Sequence, residues 1–493
     1  MAAAQQLSNR TARGDQRNQV AAQAGGGSGA NYQMLINLIL NETEGPWETI
    51  DGVGGPDPIP YDNGVYVDPR GLLYKSTEKD LSGRLAALGL RARQADLNSD
   101  MSQTATLRMV SLTRLERAVA ARLEQGLPAV ESMRQLAGLS QIQYVFFYPE
   151  ENEIVIAGPA EGWRYNDFGQ PVGVTSGRPT LQLDDLVTVL RTFSAGGDDV
   201  FGCSIDPRPE GLAAVRKAAQ ESQARGPLAA GTVSRWATQL GQKLGRQDVR
   251  VHGVPNDSRV ARVMVEADYR MKLIGIGKLS GGPHVPDYFD LLAKNPGIAT
   301  GGLDALRWWL TMHYDAVLHS ENHNAFEVRG SSVLCQSENQ FISSQGRQVG
   351  TGKAEPINRE FAESFTQHYA ELARRDPVFA DLQGVFDLAL VAALLQQEQV
   401  DERLGWDRGV FAVDGGYHPA SYAVPKETDS VVNHRVFNGK DVVVQVAGGV
   451  RADLLSVLNN AQVRQESPRL DGVAQGGKPK SNLPEGRWWW DAN

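Results

Sequence analysis

The segment "NDSRVARVMVEADYRMKLIGIGKLSGG", residues 256–282, combines a helical pattern with a high density of charged residues. A helix that begins after Asp257 or Ser258 and covers 259–274 places one group of apolar residues on a single face: Val260, Met264, Ala267, Met271 and Ile274. This pattern predicts a helix packed against a hydrophobic core, with Gly275 as the first residue beyond its end.

Charged side chains surround this apolar face. Arg262, Glu266 and Arg270 repeat every four residues on the opposite side, which is typical of a solvated surface. Asp268 and Lys272 are also four residues apart but lie nearer the apolar face, so we expect them to be partly buried and paired. Such a pair can be catalytic, but structural pairs are more common, so no catalytic residue is assigned beyond the candidates Asp268 and Lys272.

Strands and helices alternate on both sides of this segment. Strand patterns such as "LRMVSL" and "DVFGCSID" are interspersed with helical ones such as "TRLERAVAARLEQG" and "PEGLAAVRKAAQESQA". This order predicts an α+β, or mixed α/β, protein with layered sheets and flanking helices. The runs "WWLTMHYDAVLH" and "AFEVRGSSVLCQ" are predicted to form a β-hairpin across "SENHN".

An αα-hairpin is predicted further along the chain. Pro377 separates two helices because proline cannot continue a helix from its preceding turn, and the second, strongly apolar helix reaches about Gln399. The first helix has one stripe of residues that face the same side: Ile357, Phe361, Phe365, His368 and Leu372.

Changes in composition predict six segments. They are a disordered tail at 1–30, a small αβ module at 31–76, an αβ domain at 104–200, a main α/β domain at 201–400 that ends in the αα-hairpin, a β-rich part at 401–460, and a polar tail with a tryptophan cluster at 461–493. In the small module we expect a helix at "YQMLINLILNETE" and strands at "GVYVD" and "GLLYK".

Length and charge exclude several classes of protein. The chain has 493 residues, 41% hydrophobic residues and a net charge of −9, which indicates a soluble globular protein and argues against binding to nucleic acid. We find no apolar run that approaches the roughly 18 residues of a membrane span, and no apolar stretch of a secretory signal at the start of the sequence given. Cys203 and Cys335 permit one disulfide but do not require it.

The histidines raise the question of a metal site. His313, His319 and His323 occupy odd positions, with Asp315 and Glu321 between them, and would share one face of a continuous strand. Because "SENHN" is rich in turn-forming residues, an exposed hairpin is the preferred interpretation, and the three histidines are only candidates. The remaining histidines are scattered in sequence: His252, His284, His368, His418 and His434. No motif indicates a nucleophile or a cofactor.

The tryptophans near the end of the sequence, Trp488, Trp489 and Trp490, are candidate binding residues. Large aromatic side chains favour interfaces, so this segment could dock on a protein partner or a second copy, or contact a polysaccharide by stacking on sugar rings. The alternative is that the segment folds back onto its own domain, and the sequence does not distinguish the two.

Several stretches together resemble a family of planctomycete-type bacterial proteins built on domain of unknown function 1598. They are "RPTLQLDDLVTVLR", "GCSIDPRPEGL", "DSRVARVMVEADYRMKLIGIG", "GTGKAEP" and "HYAELARRDPVFADLQGVFDLALVAAL", and the resemblance covers about 140–450. It implies a secreted or envelope-associated protein but no activity and no catalytic residues. The small module, with Trp47 and "GVGGP", is also similar to a short element of secretin-like envelope proteins of such bacteria.

We therefore expect a non-enzymatic secreted, periplasmic or cell-envelope protein that binds a protein partner or associates with itself. No cofactor and no membrane span are expected. The alternative is a hydrolase of the cell envelope that uses either a metal at His313, His319 and His323 or an acid/base pair at Asp268 and Lys272.

Overall fold

A computed structural model describes most of the second half of the chain and part of the first. The described residues are 59–61, 64–66, 97–194, 200–226, 233–295, 302–343, 348–437, 440–479, 483–484 and 486–492. The predicted tail at 1–30, the predicted helix at "YQMLINLILNETE" and the predicted strand at "GLLYK" lie outside them.

The chain divides into two compact units. The first comprises 1–94 and 165–170, and its described strands are β1 (Ile59–Tyr61) and β2 (Gly64–Tyr66), which pair antiparallel. Strand β2 coincides with the start of the predicted "GVYVD" strand. The second unit comprises 95–164 and 171–493, and the segment boundaries predicted at 200, 400 and 460 all lie within it.

The further strands have the following bounds in chain order: β3 (Ala105–Ser111), β4 (Tyr144–Tyr148), β5 (Glu153–Ala160), β6 (Trp163–Tyr165), β7 (Pro171–Gly173), β8 (Val200–Pro207), β9 (Arg246–His252), β10 (Gly302–His313), β11 (Ala316–His319), β12 (Ala325–Arg329), β13 (Ser332–Ile342), β14 (Gln348–Gly350), β15 (Glu427–Asp429), β16 (Val432–Phe437), β17 (Lys440–Asp453), β18 (Arg464–Glu466) and β19 (Trp489–Asp491).

The described helices have the following bounds: α1 (Leu112–Glu124), α2 (Glu131–Arg134), α3 (Leu183–Thr192), α4 (Pro209–Arg225), α5 (Val233–Leu244), α6 (Arg259–Gly275), α7 (Tyr288–Lys294), α8 (Pro356–Gln367), α9 (Tyr369–Arg375), α10 (Pro377–Gln397), α11 (Val400–Leu404), α12 (Leu454–Leu458) and α13 (Arg469–Gly477).

Two mixed sheets contain fifteen of these strands, and β6 and β7 form a separate pair. One has eight strands in the order β14-β13-β10-β17-β8-β9-β15, with β16 also paired to β17, and the other has seven in the order β18-β11-β12-β4-β5-β3-β19. The pairs β10/β17 and β11/β18 are parallel, whereas β8/β9 and β4/β5 are antiparallel. The predicted α+β fold class with layered sheets and flanking helices is confirmed.

Strands β10 to β13 form a ribbon that belongs to both sheets. β10 pairs with β13 in the eight-stranded sheet, whereas β11 pairs with β12 in the seven-stranded sheet. The chain leaves one sheet at Tyr314 and returns near Ser332, and α10 supplies the buried Asp387 at this crossing. The Asp387 carboxylate accepts hydrogen bonds from Ser332 Oγ (2.6 Å), Tyr314 Oη (3.3 Å) and the Ile142 amide (3.4 Å). The hairpin predicted across "SENHN" is therefore divided between two sheets.

Helix α6 lies in the core, as its apolar spacing predicts. Ser258 is the N-cap and accepts a hydrogen bond from the Ala261 amide at 3.1 Å, and each of the five predicted core residues of α6 is at most 4% exposed. The helix ends one residue later than predicted. Gly275, expected just beyond the helix, is its last residue and packs so closely on Trp308 that an added Cβ would lie 2.1 Å from the indole. The left-handed residue after the helix is Gly277 (φ +71°).

The predicted αα-hairpin is present, with one difference. The first helix is divided at His368 into α8 and α9, and the second helix, α10, starts at Pro377 as predicted. Phe365 and Tyr369 contact Phe379 across the hairpin, with ring centroids 5.4 and 5.9 Å apart.

Helix α10 contradicts the expectation that no apolar run approaches the length of a membrane span. Among the described residues it alone has the length and composition of a membrane span, with a mean hydropathy of 1.9 over an 18-residue window. That entire window is buried within the protein. Buried core helices of soluble proteins can have the same length and mean hydropathy as a membrane span.

Candidate functional site

The Asp268–Lys272 pair is sealed inside the protein. Lys272 Nζ lies 2.7 Å from Asp268 Oδ2, both side chains are 0% exposed, and Lys272 Nζ also donates to the Ile205 carbonyl at 3.4 Å. Burial raises the pKa of the Asp268 carboxyl, and the Lys272 ammonium opposes this change. Because neither group reaches solvent, the pair joins α6 to β8 and does not face a substrate in this conformation.

A narrow cleft lined by Pro179, Leu181 and Gly384 reaches a second buried charge cluster. The guanidinium of Arg259, at the start of α6, contacts Asp185 of α3 and Asp381 of α10. Burial raises the pKa of both carboxyls, that of Asp185 to about 6. The guanidinium is already engaged by both carboxylates, so this cluster serves to connect three core helices.

The candidate metal ligands His313, His319 and His323 do not form one row. His313 ends β10 in the eight-stranded sheet, whereas His319 ends β11 in the other sheet and His323 lies in the following turn. The rings of His319 and His323 are 4.4 Å apart, but His323 Nδ1 contacts Glu398 at 2.9 Å. Because the strand is interrupted after His313, the alternation of side chains that would place the three histidines on one face is lost.

The tryptophan segment folds back onto its own domain. Trp488, Trp489 and Trp490 are 5%, 4% and 4% exposed, and β19 pairs with β3. Arg108 lies 4.6 Å from the centroid of the Trp489 ring. Of the two alternatives that the sequence left open, the structure has the fold-back, so these indoles do not offer a surface to a partner or a sugar.

The two cysteines are buried and unpaired. Cys203 and Cys335 are each 3% exposed, they form no disulfide, and burial raises the pKa of both thiols. Both therefore behave as small apolar residues.

The structure brings together His284, His368 and Glu371, three residues that no sequence motif connects. One donor atom from each side chain lies within 4.8 Å of those of the other two. The imidazole centroids of His284 and His368 are 5.0 Å apart with planes 19° from parallel, and His284 Nδ1 lies 2.8 Å from Glu371 Oε2. Among the described residues, no other group of three or more histidine, cysteine or acidic side chains meets this distance.

Two backbone segments position these side chains. His284 lies between α6 and α7, where its carbonyl accepts a hydrogen bond from Ser364 Oγ of α8 at 2.8 Å. His368 lies at the junction of α8 and α9. Its carbonyl accepts a hydrogen bond from the Glu371 amide at 2.9 Å, which holds the backbones of the two residues close together. Neighbouring core residues, Val285, Phe365, Tyr369 and Leu372, anchor both segments.

The cluster is open to solvent and flanked by positive charge. The side chain of His284 is 59% exposed and that of Glu371 is 25% exposed. The hydrogen bond from His284 lowers the pKa of the Glu371 carboxyl. Arg374 and Arg375, both exposed, follow in the last turn of α9.

Imidazole nitrogen and carboxylate oxygen are the usual ligands of zinc and related transition metals, so this donor set fits such an ion. Only a partial signal is present in the sequence: His368 and Glu371 are three residues apart, a spacing that places two side chains on one helix face. The 84-residue separation from His284 to His368 has no local signature, so the third donor could be found only from the tertiary structure.

Comparison with protein families finds one match. Residues 203–288 match the family model "Protein of unknown function (DUF1598)". The matched region runs from β8 through α6 and includes His284, but not His368 or Glu371. The chain matches no curated protein and no solved structure.

Proposed function

We propose that this protein is a non-enzymatic binding protein that holds a divalent transition-metal ion at His284, His368 and Glu371. The observation that carries this proposal is the convergence, within 4.8 Å, of three donor atoms from two separate segments of the chain. The acid/base alternative has less support, because Asp268 and Lys272 are 0% exposed.

The donor set and its geometry suit zinc well. Ligands of a tetrahedral zinc ion at about 2.0–2.1 Å from the metal lie roughly 3.3 Å from each other. The donor atoms lie within 4.8 Å of one another, and rotation of these partly exposed side chains about their χ angles can close the remaining distance. Because nitrogen ligands favour transition metals over Mg²⁺ and Ca²⁺, we expect selection against both alkaline-earth ions.

Isothermal titration calorimetry of the full chain with zinc chloride tests the proposal. We expect one zinc ion per chain, and His368→Ala or Glu371→Gln should weaken binding by at least about tenfold, since loss of even an outer-sphere partner has an effect of that size. His418→Ala is the matched control, because His418 is exposed and outside the cluster. Zinc binding that is equally strong in all three variants would contradict the proposal.

A metal-dependent hydrolase is the second candidate. Three protein ligands leave one tetrahedral position for a water molecule, as in catalytic zinc sites, and this observation favours it. Hydrolysis of 4-nitrophenyl acetate that follows zinc occupancy and is lost in Glu371→Gln would support an enzyme. A rate no higher than that of free zinc would support the non-enzymatic proposal.

We also propose that the protein lies outside the cytoplasm, that it comes from a planctomycete-type bacterium, and that it binds a protein partner or associates with itself. The first two rest on the sequence resemblance. A partner would use a surface other than Trp488–Trp490, because these indoles are buried. Cell fractionation followed by size-exclusion chromatography with light scattering tests location and self-association.

A further inference from the structure

Arg375 places a positive charge directly beside the proposed metal ligands. At Gly282, which has a φ of +95°, an added Cβ would lie 3.2 Å from Glu371 Oε1 and 3.4 Å from Arg375 Nη1. The carboxylate and the guanidinium therefore flank one backbone position. Within the part of the chain that the structure describes, Arg375 has no ion pair with an acidic side chain.

The electrostatics of a loaded site would favour an anion. A divalent ion with two neutral imidazoles and one carboxylate keeps a net positive charge, and the exposed Arg374 and Arg375 add to it. A three-ligand site also keeps one coordination position that the protein does not fill. An anionic group that replaces water at this coordination position is attracted by both the metal ion and the arginine.

We infer that the metal ion and Arg375 together bind a carboxylate group of a small-molecule ligand. This inference rests on the proposed metal site. A carboxylate has two oxygens in one plane, so that one can coordinate the metal at about 2.0–2.2 Å while the other accepts hydrogen bonds from the guanidinium at about 2.7–2.9 Å. Gly282 keeps the space between the two groups free of a side chain.

Cobalt(II) and acetate provide the test, because cobalt replaces zinc in tetrahedral sites and has a visible absorption spectrum. Full-length protein is loaded with cobalt and titrated with sodium acetate at constant ionic strength, with sodium perchlorate as the non-coordinating salt. We expect acetate to change the cobalt spectrum in a saturable manner. Arg375→Gln should weaken acetate binding by roughly tenfold, as expected for loss of a charge-assisted hydrogen bond, and should still bind cobalt at least as tightly as the wild type.

Arg359→Gln is the matched control, since Arg359 is an exposed arginine of α8 outside the cluster. Equal acetate affinity in the wild type and Arg375→Gln, or a cobalt spectrum that acetate does not change, overturns the carboxylate inference and leaves the metal site standing. If no protein-bound cobalt spectrum appears at all, the proposed metal site itself is wrong, so the two failures are distinguishable. The Arg375→Gln variant is expected to fold, because its side chain is exposed, and circular dichroism verifies this.

Discussion

The Asp268–Lys272 pair and the His284–His368–Glu371 cluster differ in their sequence pattern, in their burial and in how the chain assembles them. The pair is conspicuous in the sequence, fully buried, and closed by its own ion pair. The cluster is inconspicuous in the sequence, solvent-exposed, and assembled from segments that are far apart in the chain. The comparison teaches that a high density of charge in a helix can mark the core, whereas a candidate metal site can form from residues without any shared motif.

The largest expected effect comes from breaking the buried pair. Lys272→Met leaves the Asp268 carboxyl without its partner, so we expect a loss of about 3–5 kcal/mol in the free energy of unfolding. The double variant Asp268→Leu/Lys272→Met should recover most of that loss, since two apolar residues need no partner. Urea denaturation monitored by tryptophan fluorescence measures both.

Glu266→Ala is the control for this experiment. Glu266 and Arg270 have the same four-residue spacing in the same helix, but their side chains are 39% and 40% exposed. The control should change stability by less than about 0.5 kcal/mol. If Lys272→Met were as mild as Glu266→Ala, the pair would not be sealed from water.

A buried carboxyl without a lysine partner should make stability depend on pH. Burial raises the pKa of Asp387 to about 6, whereas an aspartate in an unfolded chain has a pKa of about 3.9. The folded protein therefore holds this proton more tightly, and its stability decreases as the pH rises from about 4 through 6.

Asp387→Asn cannot ionise, so its stability loss from pH 4 to 7 should be smaller than that of the wild type by about 2–3 kcal/mol. Denaturation at a series of pH values measures the difference, with the exposed Asp471→Asn as control. Parallel pH profiles for the wild type and Asp387→Asn would show that this carboxyl is solvated. Some pH dependence will persist in the variant, because Asp185 and Asp304 also have a pKa raised to about 6.

Zinc should stabilise the folded protein through the exposed cluster. At a free concentration of about 100 times Kd, a ligand that binds only the folded state stabilises it by about 2.7 kcal/mol. Differential scanning fluorimetry should therefore show a higher Tm with zinc for the wild type and a smaller increase for His368→Ala. An equal increase in both proteins would place zinc elsewhere.

The smallest effect is expected for His284→Ala without metal. Because this side chain is 59% exposed, its removal should change the free energy of unfolding by no more than about 0.5 kcal/mol. Chemical denaturation in the presence of a chelator measures the change. A large loss would mean that the imidazole has a structural role, in contrast to an open binding site.

Local patterns in the sequence were sufficient for the elements and for much of the core. The spacing of Val260, Met264 and Met271 predicts the buried face of α6, and Pro377 predicts the start of α10, because both signals depend on a single helix. The burial of Asp268 and Lys272 also follows from their position beside the apolar face.

Features that depend on distant parts of the chain could not be predicted in this way. The division of the β10–β13 ribbon between two sheets depends on pairing partners more than a hundred residues away, such as β17 and β4. The burial of Trp488–Trp490 requires the exposed edge of β3, which no local pattern reveals. The convergence of His284 with His368 is of the same kind.

The ribbon also has a consequence for how the second unit loses its structure. Since only two residues separate β10 from β11 and β12 from β13, opening one sheet along β10 and β13 displaces β11 and β12 in the other. No flexible linker isolates the two, and native-state hydrogen exchange should therefore find their central amides protected to a similar degree, as parts of one cooperative foldon.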